Sequence, residues 1–585
     1  MKKRVERVRT FLCVFILILA ATGKAQTQTV GTFTNSEYAL EGYTLVFSFS
    51  SNGVYLVDNC GLKIHEWQTE NTTVSAYLDD NGDLIKTSPD PNHVFGANGQ
   101  HGIISRFGWD GEKQWEYKLS TDSLILHHDI ELLPNGNILC MAWQRLSRQK
   151  TIALGRDTTL AASTADVWDE VILELMPMGP SQASVVWKWT ASEHLIQDFD
   201  STKSNYGIVA DHPELLNVNY RSQGLGNYDD WLHFNSIDYN AALDQILISG
   251  HTFCEIYIID HSTTSAQAQG HSGGAAGAGG DILYRWGNPH AYKNGTLANQ
   301  RFDGQHDPTW IAYGDYENDI IVFNNIHSSG VSSVDILSPT WTGSYYLKDV
   351  QKRFLPKELA YSFTKTTPTD FFSPGQSSAE VLPNGNIFTL EAAKGKYTEF
   401  IPDTKEIVWE YISPIKDNSF TKQGQTASGN PVFKGHKYAT DFIGFIDKNI
   451  NMGLPLEIDP WPTACNGIDT TTHQDTTHQD TTDQDTTVKD SSRLSLNHVE
   501  LEIQTTVYPN PTSGKCTIKG GQYFQAIEVR DLLGRTVYQS NVVSSSHQIV
   551  IDLSKNPPGT YYAICDYGGF PVIKKCILIT EQNNY

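Results

Sequence analysis

Two short phrases recur along the first 465 residues of this 585-residue chain, and they constrain its fold more than any other feature. The first is a tight turn that leads into an apolar run. It occurs as Asn81-Gly82-Asp83-Leu84, as Leu133-Pro134-Asn135-Gly136-Asn137-Ile138-Leu139 and as Leu382-Pro383-Asn384-Gly385-Asn386-Ile387-Phe388. Asn-Gly between apolar runs is a strong hairpin signal, because both residues tolerate positive φ. The second phrase is a strand that ends in aromatic residues: Ile64-His65-Glu66-Trp67, Gln114-Trp115-Glu116-Tyr117, Val186-Trp187-Lys188-Trp189, Leu283-Tyr284-Arg285-Trp286 and Val408-Trp409-Glu410-Tyr411. With a weaker unit near Tyr361, the phrases read as the inner and outer hairpins of successive repeats. Short alternating apolar runs with little helical periodicity make the class all-β. Together they predict a six-bladed β-propeller over residues 26–465. A purely structural propeller would show the same repeats, so they bear on fold and not on activity.

The flanks have a different character. Lys2, Lys3, Arg4, Arg7 and Arg9 precede the apolar run Phe11 to Ala21, which predicts a signal peptide over 1–25 with cleavage before Gln26. The run is too short for a stable membrane anchor, and no transmembrane segment is expected later in the chain. Export permits disulfides. Cys13 leaves with the signal, and Cys60, Cys140, Cys254, Cys465, Cys516, Cys565 and Cys576 remain, read mostly as buried thiols. No CxxC spacing points to a zinc ribbon or a redox motif. Residues 466–493 are rich in Thr and Asp and cannot bury a core, which predicts a disordered linker; His473 and His478 lie in it. Residues 494–585 alternate strand-like runs with Gly and Pro turns and predict a small β-sandwich. A net charge of −23 argues against a nucleic-acid partner.

The residues that could carry chemistry are histidines placed where strands meet loops. They are His127-His128-Asp129, His233-Phe234-Asn235, His251 and Gly304-Gln305-His306-Asp307. Histidines so far apart converge only if the fold brings many strand ends to one centre. Imidazole near neutral pH can be nucleophile, acid, base or anion-binding donor. Asn235 follows His233 by two residues, so regular alternation puts imidazole and amide on one face, an arrangement suited to an oxyanion. Alternation puts His127 and His128 on opposite faces, and His128 is the preferred one. Ser377-Ser378 precedes the third Asn-Gly turn at the matching position. The Gly-rich stretch from Ala266 to Gly280 lacks the GK[ST] ending of a phosphate loop and is expected to lie over the channel mouth.

Several long runs are similar to the arylsulfotransferase family. They are Trp231-Leu232-His233-Phe234-Asn235-Ser236-Ile237, Ile248-Ser249-Gly250-His251, Glu255-Ile256-Tyr257-Ile258-Ile259-Asp260, Tyr284-Arg285-Trp286-Gly287-Asn288-Pro289, Phe302-Asp303-Gly304-Gln305-His306-Asp307 and Asn318-Asp319-Ile320-Ile321-Val322-Phe323-Asn324-Asn325. The resemblance covers most of the first region in the right order. It implies a six-bladed propeller outside the cytoplasm that moves a sulfuryl group from an aryl sulfate donor to a phenolic acceptor. It implies no nucleotide donor, no cofactor and no metal, and a sulfated histidine as intermediate. Carried onto this chain, His306 is the nucleophile, and His127 or His128, His233, Asn235, His251, Ser378 and Tyr438 bind substrate. One position departs from the pattern: described bacterial members carry an arginine where His251 falls. Arg285 is an available cation, but its setting reads as an outer strand. Two other readings of the centre are a non-catalytic propeller binding a glycan or a protein, and a metal-dependent hydrolase or lyase with histidine ligands. Asn235, a poor zinc ligand, stands against the latter.

The last region resembles the C-terminal sorting domain of the type IX secretion system. Tyr508-Pro509-Asn510-Pro511, Asp531-Leu532-Leu533-Gly534-Arg535 and Pro558-Gly559-Thr560-Tyr561-Tyr562 carry the resemblance. It implies the type IX machinery as partner and a secreted or cell-surface protein once the signal and sorting domain are removed, with a homodimer left open.

Overall fold

The computed structural model describes residues 27–460, apart from 97, 160–165, 222–228 and 366–369, together with strands and short turns between 505 and 578. The expected signal peptide, Cys465 and the Thr/Asp linker fall outside the described residues. The chain divides into two compact units, 1–474 and 475–585.

Six antiparallel sheets of four or five strands carry the described part of the first unit. One edge strand of each is labelled here in chain order: β1 (Ala76–Leu78), β2 (Leu124–Leu132), β3 (Phe234–Asn240), β4 (His306–Trp310), β5 (Ser378–Val381) and β6 (His436–Ala439). The Asn-Gly turns join β1, β2 and β5 to the second strands of their sheets, and Gly82, Gly136 and Gly385 take the positive φ such turns need. The β6 sheet is built from both ends of the unit, because β6 pairs with Gly42–Val46.

The aromatic-ended phrases form the fourth strands of the sheets, and their purpose is visible in the hydrogen bonds. Trp67 Nε1 donates to Gly108 O at 3.0 Å, Trp115 to Gln182 O at 2.9 Å and Trp189 to Gly280 O at 2.7 Å. Trp286 donates to Pro356 O at 2.7 Å, Tyr361 Oη to Pro402 O at 3.0 Å and Trp409 to Asn59 O at 2.8 Å. Every acceptor lies in the connection between the third and fourth strands of the next sheet in chain order, or, for Gln182, at the start of the fourth strand, and Trp409 reaches back to the sheet that holds β6. The weak repeat near Tyr361 is weak only because a phenol replaces the indole. Buried tryptophan needs a partner for its N–H, and here that partner ties one sheet to the next.

A second circuit joins the labelled strands. Tyr77 Oη donates to Asp129 Oδ1, and Ile237 N donates to Asp129 Oδ2 at 3.3 Å. Asp307 N donates to Ser236 Oγ at 3.0 Å, and Ala379 N to Asp307 Oδ2 at 3.3 Å. Gly435 N donates to Ser378 Oγ at 3.0 Å and Lys437 N to Glu380 Oε1 at 2.9 Å. Leu78 N then donates to Tyr438 Oη at 2.9 Å, which returns to β1. Within this circuit the buried Lys434 ammonium pairs with Asp307 at 2.8 Å and Asp129 at 3.2 Å and lies 5.4 Å from the Tyr77 ring centre. The two carboxylates hold its pKa well up against burial.

The Gly-rich stretch 266–280 departs from expectation. It is fastened to Gln182–Thr190, the sheet edge opposite β2, by Gln269 Nε2 on Lys188 O and by the Trp189 bond to Gly280. Asp260 draws its turn inward through Ala276 N at 2.9 Å. Cys60 is disulfide-bonded, while Cys140, Cys254, Cys516 and Cys565 are buried outside any disulfide, in keeping with the reading of mostly buried thiols. In the second unit, a three-stranded sheet (505–508, 515–520, 548–552) and a four-stranded sheet (536–540, 526–531, 559–566, 571–578) share one apolar cluster that includes Ile518, Val529, Ile551 and Ala563.

Removing the cation from between two buried carboxylates leaves charge uncompensated. Lys434→Met is expected to destabilise the unit by about 3–5 kcal/mol. Tyr438→Phe removes only the oxygen that accepts from Leu78 and should cost about 1 kcal/mol. Urea unfolding of the two variants beside wild type measures both.

Candidate active site

In three neighbouring sheets the ladder loses register at the same place. The shift falls opposite His128 and Asp129 in β2, at Asn235 in β3 and just after His306 in β4. His128, His233 and Asp307 adopt φ of 54°, 50° and 54°. A bulge bends its strand and re-aims side chains, and non-glycine residues at positive φ carry strain that surrounding structure must hold. Here the bulges turn histidines out of the sheets toward one another.

The result is a row of imidazoles. Ring centres are 4.6 Å apart from His128 to His233, 5.1 Å from His233 to His251 and 5.4 Å from His251 to His306. Phe433 closes one side, 5.9 Å from His128 and 6.4 Å from His306. Backbone packs tightly over His128: a Cβ on Gly99 would fall 2.1 Å from its Nε2.

His306 is held in one tautomer. Its Nδ1 lies 2.8 Å from Asn325 Oδ1 and 3.0 Å from Gly304 O. Asn325 cannot turn its amide around, because its Nδ2 donates to Ser373 O and Gln376 O. Both neighbours of Nδ1 are therefore acceptors and the ring proton sits there. Nε2 keeps its lone pair and accepts from Gln376 N at 3.2 Å. Burial pushes the His306 pKa down to about 4, so the ring is neutral near pH 7.

His233 has the opposite bias. Burial works against its charge, but Asp230 bonds to its Nδ1 and, with Glu170, carries its pKa above the usual value. His128 and His251 are driven well down by burial and by neighbouring rings. The row thus combines one favoured cation with neutral imidazoles.

The expected site residues divide into two groups. His128, His233, His251 and His306 are brought together. His127 turns away: it stacks on Trp143 at 4.1 Å, places Nδ1 2.9 Å from His128 Nδ1 and Nε2 3.0 Å from Glu170 Oε2. The shared face expected for His233 and Asn235 is absent, because the bulge breaks the alternation. Asn235 Nδ2 instead bonds Gln305 O at 2.9 Å, one residue before His306. Ser378 and Tyr438 spend their hydroxyls in the inner circuit. Arg285 lies on its sheet's fourth strand, buried in an ion pair with Glu255. Sequence reasoning passed over Asp230, Glu170, Asn325, Phe433 and Lys434. Asn325 had a signal, a polar pair within an apolar strand, and Asp230 had one in its place three residues before His233; the partners of Glu170, Phe433 and Lys434 are set by tertiary packing. Surface clefts of about 220 and 370 Å³ lie elsewhere, beside Arg301 and Arg353 and beside Tyr313 and Pro383.

Residues 32–424 match the sequence profile of the family described as arylsulfotransferase (ASST), and residues 506–579 match that of the secretion system C-terminal sorting domain. No curated protein matches the chain. Similar solved structures include a protein of unknown function from Bacteroides caccae, 12% identical, covering 68% of this chain and 98% of its own, at a TM-score of 0.36. A periplasmic gluconolactonase from Pseudomonas aeruginosa is 9% identical, with 68% and 99% covered and a TM-score of 0.34. The Swd1 β-propeller domain of Myceliophteria thermophila is 10% identical, with 67% and 90% covered and a TM-score of 0.33.

Titration of the ring resonances by NMR in the folded protein should separate these histidines. His306 is expected to stay neutral down to about pH 4, and His233 to keep its second proton above the ordinary 6.5. Asp230→Asn should move the His233 midpoint down.

Proposed function

The chain belongs to the arylsulfotransferase family, and from that premise we propose that it is an aryl-sulfate sulfotransferase in which the six sheets are blades of a propeller and His306 carries the sulfuryl group. Its C-terminal sorting domain points to a secreted or cell-surface protein, and no helix among the described residues is long and apolar enough to cross a membrane. The observation that carries the reading is the fixed tautomer of His306: a neutral ring with Nδ1–H anchored and a lone pair on Nε2 in the row of histidines.

In the first half-reaction the donor displaces the Gln376 N–H from Nε2, the freed lone pair attacks sulfur, the S–N bond forms and the S–O bond to the aryl group breaks. The phenolate leaves with the bond electrons. In the second, the acceptor phenol loses its proton, its oxygen attacks the same sulfur and the S–N bond breaks, returning neutral His306. Asn325 and Gly304 O hold the imidazole as positive charge develops on it. Cationic His233, backed by Asp230, binds the sulfuryl oxygens and takes the part that arginine plays at the position of His251 in other members. His251 stands between His233 and His306 as a further contact to donor or acceptor. The phenol's proton passes to His251, whose Nδ1 has no hydrogen-bond partner, while His128, bonded to His127 and covered by the Gly99 backbone, packs against His233. Asn235, Ser378 and Tyr438 are assigned positioning roles, in place of the direct substrate contact expected of them.

The binding-only reading lacks a reason for a tautomer-locked imidazole. The metal-hydrolase reading lacks convergence: among the described residues, the group whose ligand atoms gather within 4.8 Å is His194, His271 and Asp281, not the central row.

The test is transfer from 4-nitrophenyl sulfate to phenol. Turnover should depend on the acceptor and fall below detection in His306→Ala. His233→Ala should lower kcat by about 10²–10³-fold, the usual cost of one donor to developing negative charge. The rate should hold down to about pH 4, where His306 protonates, and fall as pH rises past 6.5 through the raised pKa of His233. Asp230→Asn should bring the alkaline limb to lower pH. Absence of turnover by wild type across pH and acceptors sinks the proposal.

A further inference from the structure

We infer that His194, His271 and Asp281 form a site for a divalent first-row cation such as zinc, which clips the glycine-rich loop to the outer edge of the β2 sheet. The group is independent of the histidine row and of the sulfuryl-transfer reading.

His194 is fully buried, and its ring lies parallel to the Trp189 indole at 5.4 Å. Its Nε2 faces Ala268 O at 2.9 Å. A carbonyl only accepts, so the ring proton sits on Nε2. Nδ1 then presents a lone pair 2.9 Å from Asp281 Oδ1, another acceptor. From the other side His271 Nδ1 lies 2.7 Å from the same oxygen. Two acceptors at such distances are held together by positive charge between them. An outer N–H donated to a backbone carbonyl is also how metal-binding histidines are commonly fixed, with the inner nitrogen left for the ion. The three ligand atoms fall within 4.8 Å of one another. Opening them to about 3.3 Å apart would give each the bond length of about 2.0–2.1 Å that tetrahedral zinc requires, with water as the fourth ligand.

The loop supplies a second, independent argument. From Gly270 to Gly280 it has no side chain larger than that of His271, so it gains little from apolar burial and loses much entropy on ordering. Yet it is closely specified. Gly280 N donates to Gly270 O and Gly279 N to Gly273 O, both at 2.9 Å. A Cβ at Gly280 would lie 2.1 Å from Ala268 O and 2.7 Å from His194 Nε2. A cation joining His194, beside the sheet, to His271, within the loop, provides the stabilisation that the loop's own side chains do not.

The experiment uses the full chain without an affinity tag, stripped with EDTA and reloaded with zinc. Bound zinc is counted by mass spectrometry, and cobalt(II) serves as a spectroscopic probe. Wild type and His306→Ala should each retain one equivalent and show the visible absorption of tetrahedral cobalt(II). His271→Ala alters a side chain that is 60% exposed, so it should fold. It should lose that equivalent, with affinity reduced at least about 100-fold, the upper end of the cost of losing even an outer partner. Zinc should raise the melting temperature of wild type over the EDTA-treated protein, and not that of His271→Ala. Zinc retained equally by His271→Ala, or no zinc retained by wild type, overturns the inference.

Discussion

The ammonium of Lys434, held between Asp129 and Asp307, is the interaction on which the rest of the first unit depends. Both carboxylates also accept backbone N–H groups from the adjoining strands, so one cation fixes the spacing of β2, β3, β4 and β5. Each aspartate directly follows a histidine of the row, His128 or His306. The charges therefore do more than close a ring: they set the backbone from which two of the four imidazoles project. Three buried charges with one cation among them are stable only while all partners are in place, which couples the geometry of the site to the closure of the fold.

The strain sits where that coupling can hold it. His128, His233, Asp307, Gln376 and Ser377 all have positive φ; the first three lie at or next to the bulges of β2, β3 and β4, and the last two form the segment whose Gln376 N reaches His306. Such residues cost of order 1–3 kcal/mol each and persist only where neighbouring structure over-determines them. Here the over-determination comes from side chains that the chemistry does not use. Asn235 braces Gln305, Ser236 receives Asp307 N, and Asn325 fixes both His306 and the carbonyl of Gln376.

Much of this fold was legible in the sequence because its repeats are physical devices. The Asn-Gly turns were read as hairpins and are hairpins, since glycine supplies the positive φ. The aromatic-ended phrases were read as outer strands, and the reason emerges only in three dimensions: each indole or phenol donates to the following sheet. The histidines were found through their position at strand ends. What alternation could not give was their direction. A bulge at Asn235 breaks the period of two, so the face it shares with His233 on paper does not exist, and His127 and His128 each found partners on different elements. Glu170 and Lys434 had no local signature, because their partners lie 43 positions away at His127 and over 100 away at the two aspartates, whereas Asp230 stands only 3 residues before His233 and was legible in principle. Cys60 taught a related lesson: composition speaks to the average cysteine and not to one that is disulfide-bonded.

The sheet that contains β6 joins Gly42–Val46 to His436–Ala439, with nearly the whole unit between them. During synthesis the early strands wait for the late one, since folding from the N-terminus can assemble single sheets but cannot close the ring. Phe433 and Lys434 arrive with that last segment. Until then Asp129 and Asp307 have no cation and the histidine row lacks a wall, so the nascent chain carries its histidines without the packing that holds them in a row. The row and its wall are completed together, when the final strand docks.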